Sequence, residues 1–291
     1  MANARARRAE NVAGDFFVDA TCIDCDTCRW MAPATFADIG DQSAVAAQPV
    51  TDAEVTLALR ALVACPTASI GVASGKHAAR LREVAASFPV PVAENVFHCG
   101  YHAENSFGAA SYFIARPEGN VMVDSPRFAA PLVKRIHELG GIRWLYLTHR
   151  DDVADHAKWA AEFGAQRIIH ADDARGLQAE IRLKGGDAYE LAPGLTVIPT
   201  PGHTRGHTVL HYADKFLFTG DHLAYSTTRG HLYAFRSACW YDWAEQIKSM
   251  ERLAGLTFEH VLPGHGRPLS APAAEMARQL QRCIGWMREA S

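Results

Sequence analysis

The sequence predicts a protein of the mixed α/β (α+β) class, with a small first domain and a larger second domain. Short apolar runs bounded by glycine, proline or polar residues predict strands, and stretches of helical periodicity separate them. In the larger domain strands dominate first and then alternate with helices, an order that two sheets packed between helices explain. A length of 291 residues, with 48% hydrophobic and 21% charged residues, fits one large domain or two unequal ones.

The domain border is predicted from the segment Phe88-Pro89-Val90-Pro91-Val92, which cannot continue the helix expected at about 76–87. We therefore expect a tail at 1–11 and a first domain at 12–75; the basic start of the tail, 1–8, is expected to be disordered, with part of a targeting peptide as the alternative. A connecting helix and linker at 76–92 lead to a second domain at 93–291.

The elements of the first domain are predicted from three local patterns. Residues 16–18 and 70–72 are short apolar runs that indicate strands, and Thr51 and Glu54 form a capping box that opens a helix through about Val63. In the second domain the predicted strands are 111–115, 121–124, 142–148, 167–170, 195–199, 208–212 and 216–219. The predicted helices are 128–139, 155–163, 242–256 and 273–288.

Four cysteines of the first domain, Cys22, Cys25, Cys28 and Cys65, have the ligand spacing of a cubane iron–sulfur cluster. Three thiolates spaced two residues apart wrap one face of a cluster, and a distant Cys-Pro supplies the fourth ligand. Zinc is the main alternative, but a zinc ribbon would show a second C-x2-C pair. Structural cysteines without a metal are the remaining alternative.

Residues 12–74 resemble bacterial-type ferredoxins that carry a single [4Fe–4S] cluster. The resemblance implies that all four cysteines are cluster ligands, since each ligand position is filled. The other three cysteines, at 99, 239 and 283, are widely separated and are expected to be reduced thiols.

Four segments of the second domain carry clustered histidine and aspartate, and each follows an apolar run. Loops at one edge of a sheet bring ligands from distant positions together, and imidazoles with carboxylates suit zinc, iron or manganese. Neighbouring glycines allow the tight turns that such loops need. The segments are Thr148–His156, Pro201–Thr204, Thr219–His222 and Pro263–Gly266.

In this order the four segments resemble the motifs of the metallo-β-lactamase superfamily, from Val96 to the C-terminus. The resemblance implies an αββα sandwich with a dinuclear metal site. The first motif of that family reads T-H-x-H-x-D-H. Here Thr148-His149 matches its start and Asp155-His156 its end, but two extra residues lie between them and the second histidine is missing. Asp151 stands in the register of that histidine.

Carried over residue by residue, the resemblance assigns the metal ligands as follows. His149 and His203 hold one metal, completed by Asp151, for which Asp152 is an equally reachable substitute. Asp155, His156 and His265 hold the second metal, Asp221 bridges the two, and Asp155 also orients the nucleophile as a catalytic residue. His98 and His102 are expected either to line the substrate pocket or to lie at the surface.

Two chemistries are consistent with such a site. In a hydrolase, two divalent metals, with zinc favoured over iron, activate a water for attack on an ester, thioester or lactone carbonyl. In an oxidoreductase similar to flavodiiron proteins, Asp151 in place of histidine suits iron, and the cluster supplies electrons for reduction of oxygen or nitric oxide. A non-catalytic electron-transfer or binding protein is the third alternative, although buried ligands without metal are costly to keep.

The composition limits the classes of binding partner that we expect. A net charge of −3 gives no support for nucleic-acid binding, and no apolar run approaches the length of a membrane span. We expect a small-molecule substrate, a possible redox partner protein and a cytoplasmic location. No oligomeric state is predicted.

Overall fold

The computed structural model describes residues 2–290, and the chain divides into two units at the bond between Arg143 and Trp144. The predicted domain borders at 75 and 93 do not coincide with this division, because residues 93–143 lie with the first unit. The borders at 75 and 93 therefore stay a prediction. Among residues 2–290, no helix is long and apolar enough to cross a membrane.

The first unit contains eight strands and four α-helices. The strands are β1 (Phe16–Val18), β2 (Phe36–Asp38), β3 (Ser43–Val45), β4 (Ile70–Val72), β5 (Val90–Ala93), β6 (Val96–His98), β7 (Tyr112–Ile114) and β8 (Val121–Val123). The helices are α1 (Thr27–Met31), α2 (Asp52–Ala64), α3 (Ala78–Ser87) and α4 (Ala130–Glu138).

The start of the first unit forms as predicted around the longest of its helices. The Thr51 hydroxyl accepts from the Glu54 amide at 3.2 Å, and Glu54 accepts in return from the Thr51 amide at 2.9 Å, so the capping box is complete. Strands β1 and β4 pair antiparallel, as do β2 and β3. The buried face of α2, with Leu59 fully buried, packs at the centre of this region.

The expected disordered tail is wrong for the described residues 2–11. The amide of Asn3 donates to the Asp19 carboxylate at 2.6 Å, and Arg7 forms an isolated bridge with Asp19. The Asn11 side chain bonds the backbone of Val18 in both directions. The basic segment is therefore fixed to β1 by hydrogen bonds that the charge pattern does not reveal.

The later strands of the first unit form an antiparallel order β5-β6-β7-β8. We did not predict β5 or β6, since prolines interrupt the first and the second is only three residues long. Strand β5 lies at the end of its sheet, where a proline that cannot donate a ladder hydrogen bond is tolerated.

The second unit contains eleven strands and three α-helices. The strands are β9 (Trp144–Tyr146), β10 (Gln166–His170), β11 (Ile181–Leu183), β12 (Tyr189–Ala192), β13 (Leu195–Pro199), β14 (Thr208–Tyr212), β15 (Phe216–Gly220), β16 (Ala224–Ser226), β17 (His231–Tyr233), β18 (His260–Pro263) and β19 (Leu269–Ser270). The helices are α5 (His156–Phe163), α6 (Trp243–Leu253) and α7 (Ala273–Glu289). The predicted elements of this unit all form, and the strands that we missed are short or lie at sheet edges.

Two sheet regions organise the second unit. Strands β9, β10 and β11 are parallel to one another. A second sheet has the order β12-β13-β14-β15-β18-β19, antiparallel except for the parallel pair β15 and β18. Its core joins alternate strand residues to the apolar faces of α6 and α7, and includes Ile198, Val209, Leu217, Val261, Met250, Leu253, Met276, Leu280 and Met287.

Four of these strands end immediately before a histidine or aspartate segment. The chain leaves β9 towards His149, β13 towards His203, β15 towards Asp221 and β18 towards His265. Buried strands fix where each loop begins, so side chains from distant positions in the sequence meet at one place.

Candidate functional site

The four predicted cluster cysteines line one buried cavity in the first unit, together with apolar and hydroxyl-bearing neighbours. Cys22, Cys25 and Cys28 come from the loop before α1 and from its first turn, and Cys65 directly follows α2. We call these four residues the cysteine cradle. The loop turns back on itself because Asp24 and Asp26 adopt positive φ angles of 59° and 61°.

Charged groups hold this loop in place. The Arg29 guanidinium donates to the carboxylates of Asp24 and Asp26, each at 2.6 Å. Burial lowers the pKa of Arg29, but the bonds to these two carboxylates outweigh it and raise the pKa overall. The ion pairs therefore stabilise the strained turn that brings the cysteines together.

The donor set of the cradle fits an iron–sulfur cluster. Burial raises the pKa of Cys25 and of Cys28, and the neighbouring thiolates of the cradle raise both further. Four thiolates in one buried space repel one another, so they need the positive charge of metal ions to coexist. Hydrogen bonds reach two of the sulfurs: the Ser69 amide donates to Cys65 Sγ at 3.3 Å, and Thr27 Oγ1 lies 3.4 Å from Cys25 Sγ.

His98 and His102 also lie in the first unit, close to the cradle. Both side chains are buried, His102 completely, and His102 contacts Thr27 of α1. The expected surface position is therefore wrong, and the alternative, a substrate-pocket wall, stays a prediction. The short β6 strand that buries His98 gave too weak a signal in the sequence to place either residue.

In the second unit the structure brings together His149, Asp151, Asp152, His203, Asp221 and His265, which we call the His/Asp centre. His203 Nε2 lies 3.4 Å from Asp151 Oδ2 and 3.7 Å from Asp221 Oδ2. One ligand atom from each of His149, Asp151 and His203 lies within 4.8 Å of the others. These distances suit a cation between the side chains.

A second cluster of ligand atoms shares His149 with the first and adds Asp152 and Asp221. His149 Nε2 lies 3.9 Å from Asp152 Oδ2 and 3.8 Å from Asp221 Oδ2. His265 Nδ1 lies 3.9 Å from Asp152 and 2.8 Å from Asp221. Asp221 belongs to the second cluster, and its Oδ2 also lies 3.7 Å from His203 Nε2 of the first, a position that suits a bridging ligand.

The histidines are oriented by their second ring nitrogens. His203 Nδ1 donates to the Ala238 carbonyl at 2.6 Å, and His149 Nδ1 lies 2.9 Å from the Thr148 hydroxyl. A neutral His203 therefore turns the lone pair of Nε2 towards carboxylate oxygens. Within the described chain, Nε2 of His149 and of His203 has no hydrogen-bond partner. Buried lone pairs that face carboxylates are unfavourable unless a cation lies between them.

The electrostatics of the centre agree with metal binding. Burial lowers the pKa of His149 to about 4, so the imidazole is neutral and available as a ligand. Burial alone would raise the pKa of Asp221, but His265, His149 and His203 hold it well below its usual value. Three carboxylates facing three imidazoles make a donor set for divalent metals.

Glycines allow the loops to approach so closely. A Cβ on Gly264 would lie 2.7 Å from Asp152 Oδ2 and 3.1 Å from Asp221 Oδ1. Gly220 has a φ of +47°, and a Cβ there would lie 2.5 Å from the Thr148 hydroxyl. A side chain at Gly264 would therefore displace ligands, and one at Gly220 would displace the hydroxyl that orients His149.

The structure does not place Asp155 and His156 in these clusters. Asp155 lies at the start of α5, and its carboxylate pairs with Lys158 at 2.7 Å. Burial and then Arg167 lower the pKa of His156, and Glu180 opposes them. None of these groups belongs to the His/Asp centre. Asp152, which we weighed only as a substitute for Asp151, lies in the second cluster of ligand atoms instead.

One residue that braces the centre was missed. The Asp173 carboxylate is buried and accepts from the Thr204 hydroxyl, the Gly206 amide and the Arg150 amide. It therefore joins the loop after β9 to the loop after β13. The sequence contained a signal for this residue, because Asp172 and Asp173 stand directly after Ala171 at the end of the strand predicted to finish at His170.

Two protein families match the chain in separate ranges. The model of the 4Fe-4S single cluster domain of Ferredoxin I matches residues 18–72. The metallo-β-lactamase superfamily model matches residues 96–282, more than half of the chain.

Curated relatives match about half of the chain. A hydroxyacylglutathione hydrolase of Acidiphilium cryptum is 31% identical over 166 residues, covering 55% of this chain and 65% of that protein. The Bacillus subtilis protein YmaE is 27% identical over 145 residues, covering 47% of this chain and 53% of its own. The chain thus spans about half to two thirds of these relatives.

Solved structures show the same fold. The metallo-β-lactamase DIM-1, exposed to ceftazidime, aligns with a TM-score of 0.55 at 20% identity, over 69% of this chain and 96% of that one. A metallo-β-lactamase from Hirschia baltica aligns with a TM-score of 0.52 at 19% identity, over 67% and 96%. The predicted fold class is confirmed, and the chain belongs to the metallo-β-lactamase superfamily, with a single-cluster 4Fe-4S ferredoxin domain at its N-terminus.

Proposed function

We propose that this protein is a metal-dependent hydrolase that cleaves an ester, thioester or lactone carbonyl at the His/Asp centre. The observation that carries the proposal is the convergence of Nε2 of His149 and His203 on carboxylates of Asp151 and Asp221 at 3.4–3.8 Å. Several relatives carry the name hydroxyacylglutathione hydrolase, which supports a thioester as the first substrate to test.

We propose His149, Asp151, His203, Asp152 and His265 as ligands, with Asp221 shared. Two divalent metals held there would polarise the substrate carbonyl and lower the pKa of a water. The protein's part is orientation: Ala238 O fixes the His203 ring, and the Thr148 hydroxyl fixes that of His149. We assign the role of orienting the nucleophile, predicted for Asp155, to Asp152, whose carboxylate is 1% exposed and lies between His149 and His265.

The surroundings of the centre suit a carbonyl substrate with an apolar part. The loop after β17 carries Trp240, which is 62% exposed and whose ring lies 6.2 Å from that of His203. Backbone bonds from Trp240 and Tyr241 to the His203 carbonyl fix this loop. An exposed indole next to a ligand offers an apolar contact beside the reacting centre.

The test compares two neutral substitutions in one loop. The anaerobically purified protein should hydrolyse a 2-hydroxyacyl thioester of glutathione, measured by release of free thiol. Asp152→Asn should lower both metal content and kcat/KM by more than about 100-fold, as expected for loss of a ligand. Asp155→Asn should keep metal content and change kcat/KM only a few-fold.

The reverse result, loss with Asp155→Asn and retention with Asp152→Asn, would show that the ligand register of the superfamily motif holds despite the insertion. Absence of hydrolysis of thioester, ester and lactone probes by a fully metallated protein would refute the proposed activity.

A second candidate is a di-iron oxidoreductase that receives electrons from the cluster. It is favoured by the carboxylate of Asp151 at 3.4 Å from His203, because a carboxylate in place of an imidazole suits iron. Two irons beyond those of the cluster, together with oxygen-dependent oxidation of dithionite-reduced protein, would support it. Two zincs with thioester hydrolysis would support the hydrolase.

A further inference from the structure

A buried hydrogen-bond chain leads away from one cysteine of the cradle. Thr27 Oγ1 lies 3.4 Å from Cys25 Sγ and 3.1 Å from His102 Nδ1. His102 Nε2 lies 2.8 Å from His98 Nε2. The chain therefore runs from sulfur through one hydroxyl and two imidazoles, all within the first unit.

The partners fix the direction of these hydrogen bonds. His102 Nδ1 also lies 2.7 Å from the Gly108 carbonyl oxygen, which can only accept, so Nδ1 carries the proton. A neutral His102 then accepts at Nε2 from the Nε2–H of His98. As a cluster ligand Cys25 is a thiolate, so the Thr27 hydroxyl donates to its sulfur. The donors of His98 and Thr27 thus point along the chain towards Cys25, and the Nδ1–H of His102 is shared between the Gly108 carbonyl and Thr27 Oγ1.

Apolar and aromatic groups enclose the outer imidazole. His98 is 4% exposed, and the rings of Trp30, Phe88 and Tyr112 surround it at 5.3, 6.2 and 5.9 Å. None of these residues is a cluster ligand.

Charged and titratable groups act on His98 from several elements. Burial, then His102, then Arg60 of α2 lower the pKa of His98 well below its usual value, so it is neutral before reduction. The phenol of Tyr112 on β7 stays protonated, since burial raises its pKa and Asp124 and Cys99 add to the effect. Among residues 2–290, His98 therefore has a nearby cation, Arg60, and no hydrogen bond or ion pair to a carboxylate.

We propose that His98 is a proton-binding site coupled to reduction of the [4Fe–4S] cluster, with His102 and Thr27 as positioning residues that connect it to Cys25. One electron from a one-electron donor enters the cluster, and one proton from water binds the free imidazole nitrogen of His98. The added negative charge stabilises a nearby imidazolium, because a buried region screens charge poorly. The polarised chain transmits the effect to the sulfur.

The consequence is a reduction potential that depends on pH. For one electron and one proton, each tenfold change in proton concentration corresponds to about 59 mV. The midpoint potential of the cluster in the full-length, anaerobic protein is measured by potentiometric titration with dithionite, followed by visible absorption, between pH 5 and pH 9. A slope near that limit is expected over part of the range.

Three variants distinguish proton coupling at His98 from a mere effect of side-chain packing on the potential. His98→Gln removes the proton site and should abolish the slope. Thr27→Val breaks the chain while keeping both imidazoles, and should reduce the slope. The matched control is Thr67→Val, which removes a hydroxyl 3.7 Å from Cys65 Sγ in the same cradle but touches neither histidine. It should shift the potential equally at all pH values and keep the slope.

A wild-type potential that is independent of pH, or a slope that survives in His98→Gln, overturns the proposal. Iron and labile sulfide content show whether each variant retains its cluster, and Thr27→Ser restores the hydroxyl should valine prevent assembly. Thioester hydrolysis is a separate measurement, so failure of either proposal leaves the other intact.

Discussion

The cysteine cradle takes three of its four sulfurs from the seven residues 22–28, whereas the His/Asp centre collects its side chains from four loops between residues 149 and 265. The first is a local structure that ion pairs of Arg29 hold in a strained turn. The second depends on strands of two sheet regions ending at the right places. A change in one loop therefore affects the two sites differently. In the cysteine cradle it can displace three of the four sulfurs, whereas in the His/Asp centre it displaces only the ligands of that loop.

The largest effect is expected from Cys28→Ser. Cys28 is buried and lies among the other three thiols, so serine leaves a buried polar group and an incomplete ligand set. Iron and labile sulfide should fall from the four of a single 4Fe-4S cluster towards zero. The thermal midpoint of the protein should fall with them, because binding of a structural metal group contributes to folding.

Cys99→Ala is the matched control. Cys99 is also completely buried in the first unit, and burial raises the pKa of its thiol to about 12, but it does not belong to the cradle. Iron should stay unchanged. Equal loss of iron in both variants would mean that general instability, and not ligation, explains the result.

The difference between the regions also explains what the sequence could predict. The four cysteines, the α2 capping box and the order of the His/Asp motifs are local patterns, and each was identified from neighbouring residues. The assignment of ligands within the loop after β9 could not be made in this way, because it depends on where α5 begins. That helix starts at His156 with Asp155 paired to Lys158, which leaves Asp152 facing Gly264.

His98 and His102 illustrate the same limit. They lie next to the cradle although more than thirty residues separate Cys65 from His98. The contact of His102 with Thr27 is a product of tertiary packing, for which periodicity carries no signal. The ordered segment at 2–11 is another case, since hydrogen bonds of Asn3 and Asn11 override its charge pattern.

Two glycines test whether the sites fail independently. In Gly108→Ala the new Cβ would lie 2.8 Å from Cys25 Cβ at a φ of +83°, so the cluster should be lost in part. In Gly264→Ala the Cβ would lie 2.7 Å from Asp152 Oδ2, and metal affinity of the His/Asp centre should fall by about 10–100-fold. Elemental analysis of both proteins gives the two readouts.

Gly164→Ala provides the control for this pair. Its φ is +63°, and nothing lies within 4 Å of the added Cβ, so only the backbone cost of about 1–2 kcal/mol remains. Both metal contents should be normal. If Gly108→Ala also depleted the His/Asp centre, the two regions would not be independent in metal loading.

A smaller effect is expected from Thr148→Val, which removes the hydroxyl 2.9 Å from His149 Nδ1. Loss of such an orienting partner, without removal of a ligand, should lower metal affinity by about 10-fold, the low end of the range for outer partners of a metal site. Competition with a chromophoric chelator measures it. Thr200→Val removes an equivalent hydroxyl 2.9 Å from His207 Nδ1, and His207 is not among the proposed ligands, so affinity should be retained.

The smallest effect concerns the ion pair next to His156. The side-chain bond from Arg167 lowers the pKa of Glu180 from its usual 4.5 to about 2. A carboxyl whose pKa is lower in the folded state stabilises the fold above the unfolded value near 4.5, and this contribution is lost as the pH falls towards 2. Because the Glu180 side chain is 38% exposed, solvent screening reduces the gain to about 0.2–1 kcal/mol. Glu180→Gln should therefore lower the free energy of unfolding by that amount at pH 7, measured by urea denaturation, and make no difference near pH 2. Metal content should not change, since Asp152 and not His156 is the proposed ligand. Loss of metal in this variant would indicate that His156 is a ligand after all.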